Sequence, residues 1–171
     1  MRIVGGAFGG RDLVSPNDFR VRPTAEAVRA ALLDALAGDV AGARVLDLFA
    51  GTGALGLEAL SRGARGADFV EFRPASLHAL KANVVALGVK RRTRVFKRDA
   101  IPFAEALPAD AYDVAFADPP YGSKILDRVI AAWQALRFAK VFAVEHDPAH
   151  VLPPGERRLD FPDGAVTIYR L

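Results

Sequence analysis

Val45-Leu46-Asp47-Leu48-Phe49-Ala50-Gly51-Thr52-Gly53-Ala54-Leu55-Gly56 is the stretch on which the fold turns. It begins as an apolar run of strand length broken by one acid. A glycine-rich turn follows, and then an apolar pattern with helical spacing. Strand, tight turn and helix in that order open an α/β unit. The alternation continues downstream. Strands are expected near 44–48, 67–72, 94–98, 112–117, 139–145, 156–161 and 165–170, and helices near 53–62, 74–88, 101–107 and 123–137. Pro162-Asp163-Gly164 between the last two strands signals an antiparallel hairpin. The expected fold is therefore α/β and three-layered: a mostly parallel seven-stranded sheet with helices on both faces and an antiparallel C-terminal hairpin.

The residues before this alternation read differently. Residues 2–14 hold two Gly pairs in a β-like pattern, suggesting a small hairpin. Residues 24–37 form an Ala-rich helix that places Val28, Leu32, Ala35 and Leu36 on one face, with Pro23-Thr24 as its start. No repeat or low-complexity linker separates this part from the rest. Residues 1–171 are expected to form a single domain, with 1–40 an N-terminal β-hairpin/helix appendage and 41–171 the core.

Composition narrows the function. A chain of 171 residues is long enough to bury about 70% of its unfolded surface in one core. Lys and Arg number 23 against 20 acids, so nucleic-acid binding is permitted by charge but not demanded. The absence of cysteine excludes disulfides, zinc–thiolate sites and thiol nucleophiles. Neither a signal-like opening nor a run of about 18 apolar residues is present, so a soluble cytoplasmic protein is expected. His146 and His150 have an i, i+4 spacing, but Pro148 lies between them and no third ligand is evident. No metal site is expected.

Gly51-Thr52-Gly53-Ala54-Leu55-Gly56 satisfies the dinucleotide pattern G-x-G-x-x-G, which is weak evidence alone. Asp47 changes its meaning. A carboxylate four residues before Gly51 would repel a pyrophosphate but attract an ammonium or a sulfonium. S-adenosylmethionine carries both. Glu71, about twenty residues past the glycines, is placed to hold ribose hydroxyls, with Phe72 beside it for the adenine. Asp99-Ala100 follows the third strand, where a carboxylate could accept from the adenine amino group. A strand-end acid is also often a helix cap, and that alternative stays open for Asp99. The candidate cofactor-binding residues are Asp47, Phe49, Gly51, Gly53, Ala54, Glu71, Phe72, Asp99, Ala100 and Asp118.

Asp118-Pro119-Pro120-Tyr121 follows the apolar run 114–117 and should sit at the end of the fourth strand. The two prolines remove two backbone donors and stiffen the turn. A carboxylate, a backbone carbonyl and an aromatic face at one sheet edge suit a planar exocyclic amine on a nucleobase. The oxygens accept its N–H bonds and Tyr121 stacks on the ring. Asp118, Pro119, Pro120 and Tyr121 are the candidate catalytic residues.

Strand-end acids after three strands and this tetrapeptide after the fourth resemble a class I methyltransferase, a Rossmann-like fold, of the amino-methylating kind. The opening is more specific. Arg2-Ile3-Val4-Gly5-Gly6, Gly10-Arg11-x-Leu13, Arg22-Pro23-Thr24 and Val28-Arg29-x-Ala31-Leu32 resemble the RsmD family, and the match continues from Asp47 to Gly63. The resemblance covers almost the whole chain. It implies transfer of a methyl group from S-adenosylmethionine to the exocyclic N2 of a guanine in 16S ribosomal RNA, within a small ribosomal subunit or an assembly intermediate, by a monomer. The chain departs from the family pattern at Gly9-Gly10-Arg11 and Glu26-Ala27-Val28-Arg29, where the family usually carries more positive charge.

Arg2, Arg11, Arg20 and Arg22 in the appendage are the candidate RNA contacts. Residues 90–98 carry six basic side chains in nine positions, and two readings stay open for them: phosphate binding, or protection of a sheet edge. The alternatives for function are an amino methyltransferase acting on adenine N6 or a glutamine side chain, and a nicotinamide-dependent oxidoreductase or nucleotide binder using the same glycine-rich turn.

Overall fold

The computed structural model describes residues 1–16, 24–122 and 124–171. Seven strands form one sheet: β1 Arg44–Leu48, β2 Gly66–Glu71, β3 Thr93–Lys97, β4 Tyr112–Ala117, β5 Ala139–His146, β6 Arg157–Phe161 and β7 Gly164–Arg170. Their order is β3-β2-β1-β4-β5-β7-β6. The first five strands run parallel, while β7 pairs antiparallel with both β5 and β6. The expected architecture is borne out, with strand limits shifted by a residue at most.

The helices are α1 Glu26–Ala35, α2 Ala37–Val40, α3 Ala54–Ser61, α4 Pro74–Ala86, α5 Ala100–Glu105 and α6 Ile125–Leu136. Central strands β1 and β4 read as near-continuous apolar runs because both their faces are covered. One core cluster joins Val45, Phe69, Val114 and Phe116 to Leu57 and Leu60 of α3. The other joins Leu46, Val70 and Phe142 to Ile130 and Trp133 of α6. Among the described residues, no helix is long and apolar enough to cross a membrane.

Two details of the N-terminal part differ from the sequence reading. The hairpin over 2–14 is short, with an antiparallel bridge between Arg2 and Asp12 and a 3-10 turn at Gly6–Phe8 that closes it. The bridge is flanked by bonds from Ile3 N–H to the Arg11 carbonyl, Gly10 N–H to the Ile3 carbonyl and Leu13 N–H to the Met1 carbonyl. Side chains of α3 and α4 take the N–H groups that this short pairing leaves over. Glu58 accepts from the N–H groups of Val4 and Gly5, at 2.9 and 2.8 Å, and the Ser61 hydroxyl accepts from Phe8 N–H at 2.9 Å. Asn83 accepts from Val14 N–H at 2.7 Å and donates to the Val14 and Thr52 carbonyls, both at 3.0 Å. Gly6 adopts φ +76°, and a β-carbon there would lie 2.1 Å from the Ser61 carbonyl oxygen, so only glycine fits against α3.

The helix expected over 24–37 begins at Glu26 and breaks at Leu36, where φ −107° and ψ 15° leave helical geometry. Thr24 does not cap it. Ile3 and Leu13 nevertheless share the first core cluster with Val28, Leu32, Leu33 and Leu36, so this segment packs into the main hydrophobic core.

Candidate active site

Consecutive strands leave β1 in opposite directions, β2 and β3 to one side, β4 and β5 to the other. The loops after β1 and β4 therefore separate and open a crevice at the carboxyl ends of the strands, where ligands bind in open α/β sheets. A cavity of about 420 Å³ lies there, within the usual range for small-molecule sites. Asp47, Phe49, Gly51 and Ala54 line it from β1 and its turn, Glu71 and Phe72 from the end of β2, Asp99 and Ala100 from the end of β3, and Asp118 to Tyr121 from the end of β4. The topology gathers residues from four separate stretches into one wall.

The turn after β1 is unusual backbone. Phe49, Gly51 and Gly53 all have positive φ, at 59°, 56° and 81°. For Phe49 this is a strained conformation, held in place by the Ala50 N–H bond to the Val70 carbonyl at 3.1 Å. Gly53 does not line the cavity. A β-carbon there would meet Leu80 at 2.3 Å, so this glycine lets α3 pack against α4. Its contribution is to the shape of the turn.

Asp47 is buried on the sheet axis and accepts a hydrogen bond from Gly56 N–H at 2.9 Å, near the start of α3. Burial pushes its carboxyl well above the usual carboxylate range. The Gly56 hydrogen bond opposes that rise, while the nearby charges of Asp118 and Glu71 add to it. Glu71 ties the β1 turn to β2. One of its oxygens accepts from Gly51 N–H at 2.9 Å, and the other accepts from the N–H groups of Phe72 and Arg73, both at 2.8 Å. Asp99 caps α5 by accepting from Ile101 N–H at 3.0 Å. It lines the cavity as well, so the helix-cap reading and the ligand reading describe the same side chain.

Asp118 is partly buried, and its Oδ2 accepts from the Thr24 hydroxyl at 2.8 Å. Tyr121 is more open, and its hydroxyl donates to Glu145 Oε1 at 3.2 Å. Thr24 and Glu145 both line the cavity, as do Arg73 and Arg98. Sequence reasoning gave Thr24, Arg73 and Glu145 no site role, and held Arg98 only within the basic run 90–98. Glu145 could have been included as one more strand-end acid. Thr24 carried only the signature of a helix start.

Arg2 pairs with Glu26 at 3.5 Å, and Arg11 donates to the Ala86 carbonyl at the end of α4 at 2.7 Å. Neither lines the cavity. Arg20 and Arg22 lie outside the described residues.

Five carboxylates surround this cavity against two arginines, so it suits a ligand that brings positive charge. Asp47, buried and beside two further acids, marks where that charge is most needed. An exposed Phe72 face and the capped Asp99 frame the far side for an aromatic group carrying a donor. Asp118, the Pro119 backbone and Tyr121 form a separate lip at the other side of the opening.

The family described as conserved hypothetical protein 95 matches residues 1–159. The chain belongs to that family. The likeness to the RsmD family read from the sequence is borne out: ribosomal RNA small subunit methyltransferase D of Escherichia coli K12 is 39% identical over 130 residues, which is 76% of this chain. The chain spans about two thirds (65%) of that relative's own length. The solved Escherichia coli protein yhhF, described as a candidate methyltransferase, superposes with a TM-score of 0.85 at 33% identity, covering 99% of this chain and 97% of its own. A more distant structure is the 16S rRNA N2 G1207 methyltransferase RsmC of Thermus thermophilus, in complex with AdoMet and guanosine. It covers 90% of this chain and 44% of its own, with a TM-score of 0.69 at 23% identity, a likeness of fold.

Proposed function

We propose that this protein transfers a methyl group from S-adenosylmethionine to the exocyclic N2 amine of a guanine in small-subunit (16S) ribosomal RNA. The observation that carries the reading is that the Asp118-Pro119-Pro120-Tyr121 corner and the acids ending β1, β2 and β3 face one cavity, in a chain 39% identical to a protein named a small-subunit ribosomal RNA methyltransferase.

The residues fit that donor. Asp47, Phe49, Gly51, Ala54, Glu71, Phe72, Asp99 and Ala100 would hold it, and Gly53 would act by shaping the turn. Asp47 would face the positive part of the ligand, Glu71 the ribose hydroxyls, and Phe72 and Asp99 the adenine. Bound there, S-adenosylmethionine supplies a methyl group on an electron-poor sulfur. Asp118 and the Pro119 carbonyl accept the N–H bonds of the target amine, which draws the nitrogen lone pair out of ring conjugation and towards the cavity. Tyr121 stacks on the flipped base, and Pro120 stiffens the corner. The Thr24 hydroxyl fixes Asp118 Oδ2 in place. Asp118 is also placed to take the proton that the amine gives up. The contribution of these groups is position and electrostatics at a closed site, with no covalent intermediate on the protein.

Residues 1–40 would serve RNA recognition and 41–171 catalysis, with Thr24 joining the two. Arg2 and Arg11, together with Arg20 and Arg22, would contact phosphates. The substrate would be a small ribosomal subunit or an assembly intermediate, met by a monomer in the cytoplasm.

The test uses radiolabelled S-adenosylmethionine with small subunits lacking the modification, free 16S RNA and adenine-rich DNA, followed by nucleoside analysis. Label in N2-methylguanosine is expected. Label in N6-methyladenine would keep the chemistry and overturn the substrate. Asp118→Ala should abolish turnover while calorimetry finds S-adenosylmethionine binding nearly intact, and equal loss of both would remove Asp118 from the amine site.

A further inference from the structure

At the amino ends of the strands, opposite the candidate active site, a groove of about 540 Å³ is lined by Arg44, Arg65, Arg91, Arg92 and Arg94, with Asp68 the one acid among the lining residues. Five cations against one anion is a larger surplus than the +3 of the whole chain. The arginines come from three separate stretches. Arg44 opens β1, Arg65 precedes β2, and Arg91 to Arg94 run from a 3-10 turn into β3. Register brings them together, since Arg44 is level with Gly66, and Ala67 with Thr93. Adjacent strands lie about 4.8 Å apart, so three strand starts crowd these side chains into about 10 Å.

The surplus is only partly neutralised within the fold, by Asp68 at Arg94 and by Asp113 near Arg44. Elsewhere Arg62, Arg128, Arg158 and Arg170 are each matched to a carboxylate. In the groove Arg94 is matched to Asp68, with Nε at 2.9 Å, and Asp68 also accepts from the Tyr112 hydroxyl at 2.7 Å. Arg44 rests over the Tyr112 ring, 5.8 Å from its centre, and Arg92 reaches only the Ala64 carbonyl at 3.4 Å. Among the described residues, no carboxylate forms an ion pair with Arg44, Arg65, Arg91 or Arg92. Unmatched guanidiniums side by side suit phosphate, which they bind in a fork geometry.

β3 links the groove to the cavity. It is the edge strand, it starts beside the groove at Arg91 and Arg92, and just past its end Arg98 lines the active-site cavity. β3 itself, Thr93–Lys97, covers about 13 Å at strand rise, with the groove before its start and Arg98 past its end. We infer that the edge strand β3 and the groove at its start form a track for the phosphodiester backbone of the substrate RNA, leading from the mouth of the cavity to the far end of the sheet. A free nucleotide or phosphate ion is too short to touch both ends, so the occupant is a strand of nucleic acid. The acidic cavity repels phosphates and the basic track holds them outside it, so a target base can enter alone. This inference rests on the proposed RNA substrate.

The test compares the wild type with the R65A/R91A and R65K/R91K pairs. Arg65 and Arg91 are exposed and have no side-chain partner among the described residues, and a thermal melt of each pair verifies folding. Binding of a fluorescent 16S RNA fragment is followed against salt, and methyl transfer is measured in parallel. The alanine pair should lower the slope of log K against log salt by about 1.4–1.8, two contacts' worth, and raise KM for RNA several-fold. The lysine pair should restore the slope. S-adenosylmethionine affinity should not change in either pair. An unchanged slope in the alanine pair, with methylation proceeding in the wild type, overturns the track and leaves the proposed function standing. RNA binding that depends on these arginines without any methyl transfer leaves the track standing and overturns the proposed function. If the double alanine variant does not fold, the single variant R91A reads the same slope at half the size.

Discussion

Asp47 and Thr24 show how differently two site residues can be signalled. Asp47 was legible because its context is local: an acid inside an apolar strand, four residues before a glycine turn, has few uses other than facing a cation. Its burial has a cost that the apo protein carries. With its folded-state pKa raised, Asp47 favours the native state below the unfolded carboxylate pKa of about 3.9, and that advantage is lost as pH rises through the folded value. Asp47→Asn keeps an acceptor for Gly56 N–H and removes the charge. Denaturant titrations should therefore show the variant gaining stability over the wild type as pH increases, and S-adenosylmethionine binding should weaken roughly 10- to 100-fold, as expected for a lost charge-assisted hydrogen bond. A variant that binds as well as the wild type would separate Asp47 from the ligand. Thr24 was read as a helix start because only its neighbours in sequence could be weighed. Its hydrogen-bond partner lies 94 residues away. Thr24→Val keeps the shape and deletes one hydrogen bond of about 1 kcal/mol. The expected result is a fall of about fivefold in kcat with the S-adenosylmethionine dissociation constant unchanged. An unaltered kcat would mean that Asp118 holds its position without help.

At the scale of elements, the N-terminal segment joins the fold through a buried charge pair between α1 and α3. Arg29 and Glu58 are both fully buried, with Nε 3.9 Å from Oε2. Arg29 also donates to the Thr24 carbonyl at 2.7 Å and to the Arg2 carbonyl at 2.6 Å, while Glu58 holds Val4 and Gly5. One pair thus fixes the first residues of the chain and the residue that touches Asp118. Arg29→Met should destabilise the protein by about 1–3 kcal/mol, because the Thr24 and Arg2 carbonyls lose their donor, while Glu58 keeps Arg62, with Nε 3.3 Å from Oε1, as counter-charge. Amide exchange should quicken first at Ile3, Gly10 and Leu13. A loss under 1 kcal/mol would deny the pair its structural role. Nothing in the local sequence announces this pairing. Leu32, Leu33 and Leu36 stand three, four and seven residues after Arg29, so helical periodicity puts Arg29 on the buried face of α1, and only its charge argued for solvent. The expected hairpin is present but short, for a related reason. The first glycine pair, Gly5-Gly6, marks a close backbone approach, and the surface approached is α3, whose Glu58 and Ser61 side chains supply the partners.

At the scale of the molecule, the strand-end acids were legible as a group because a parallel sheet with alternating helices sends the carboxyl ends of β1 to β4 to one side whatever their order. Of the strand order only the edge position of β3 was read, and the groove stayed hidden. Arg44 and Arg65 are unremarkable until β1 and β2 are set side by side. The resulting polarity, with acids at one end of the sheet and arginines at the other, makes ligand binding depend on pH in a predictable sense. At acid pH part of the Asp47 population carries a proton, and that proton must leave when a cationic ligand settles beside it. Binding coupled to proton release strengthens as pH rises and levels off above the pKa of the free protein. A ligand at a hundredfold excess over its dissociation constant stabilises the fold by about 2.7 kcal/mol. That gain should shrink as the pH is lowered. Between about pH 5 and 7 the α-amino group of S-adenosylmethionine keeps its charge, since its ordinary pKa is about 7.7–8.0. Over that window, at one fixed ligand concentration, the ligand-induced rise in Tm should widen with pH for the wild type and stay flat for Asp47→Asn. A wild-type shift that does not change with pH would place the positive charge of the ligand away from Asp47, and Glu71 or Asp118 would become the acid that receives it.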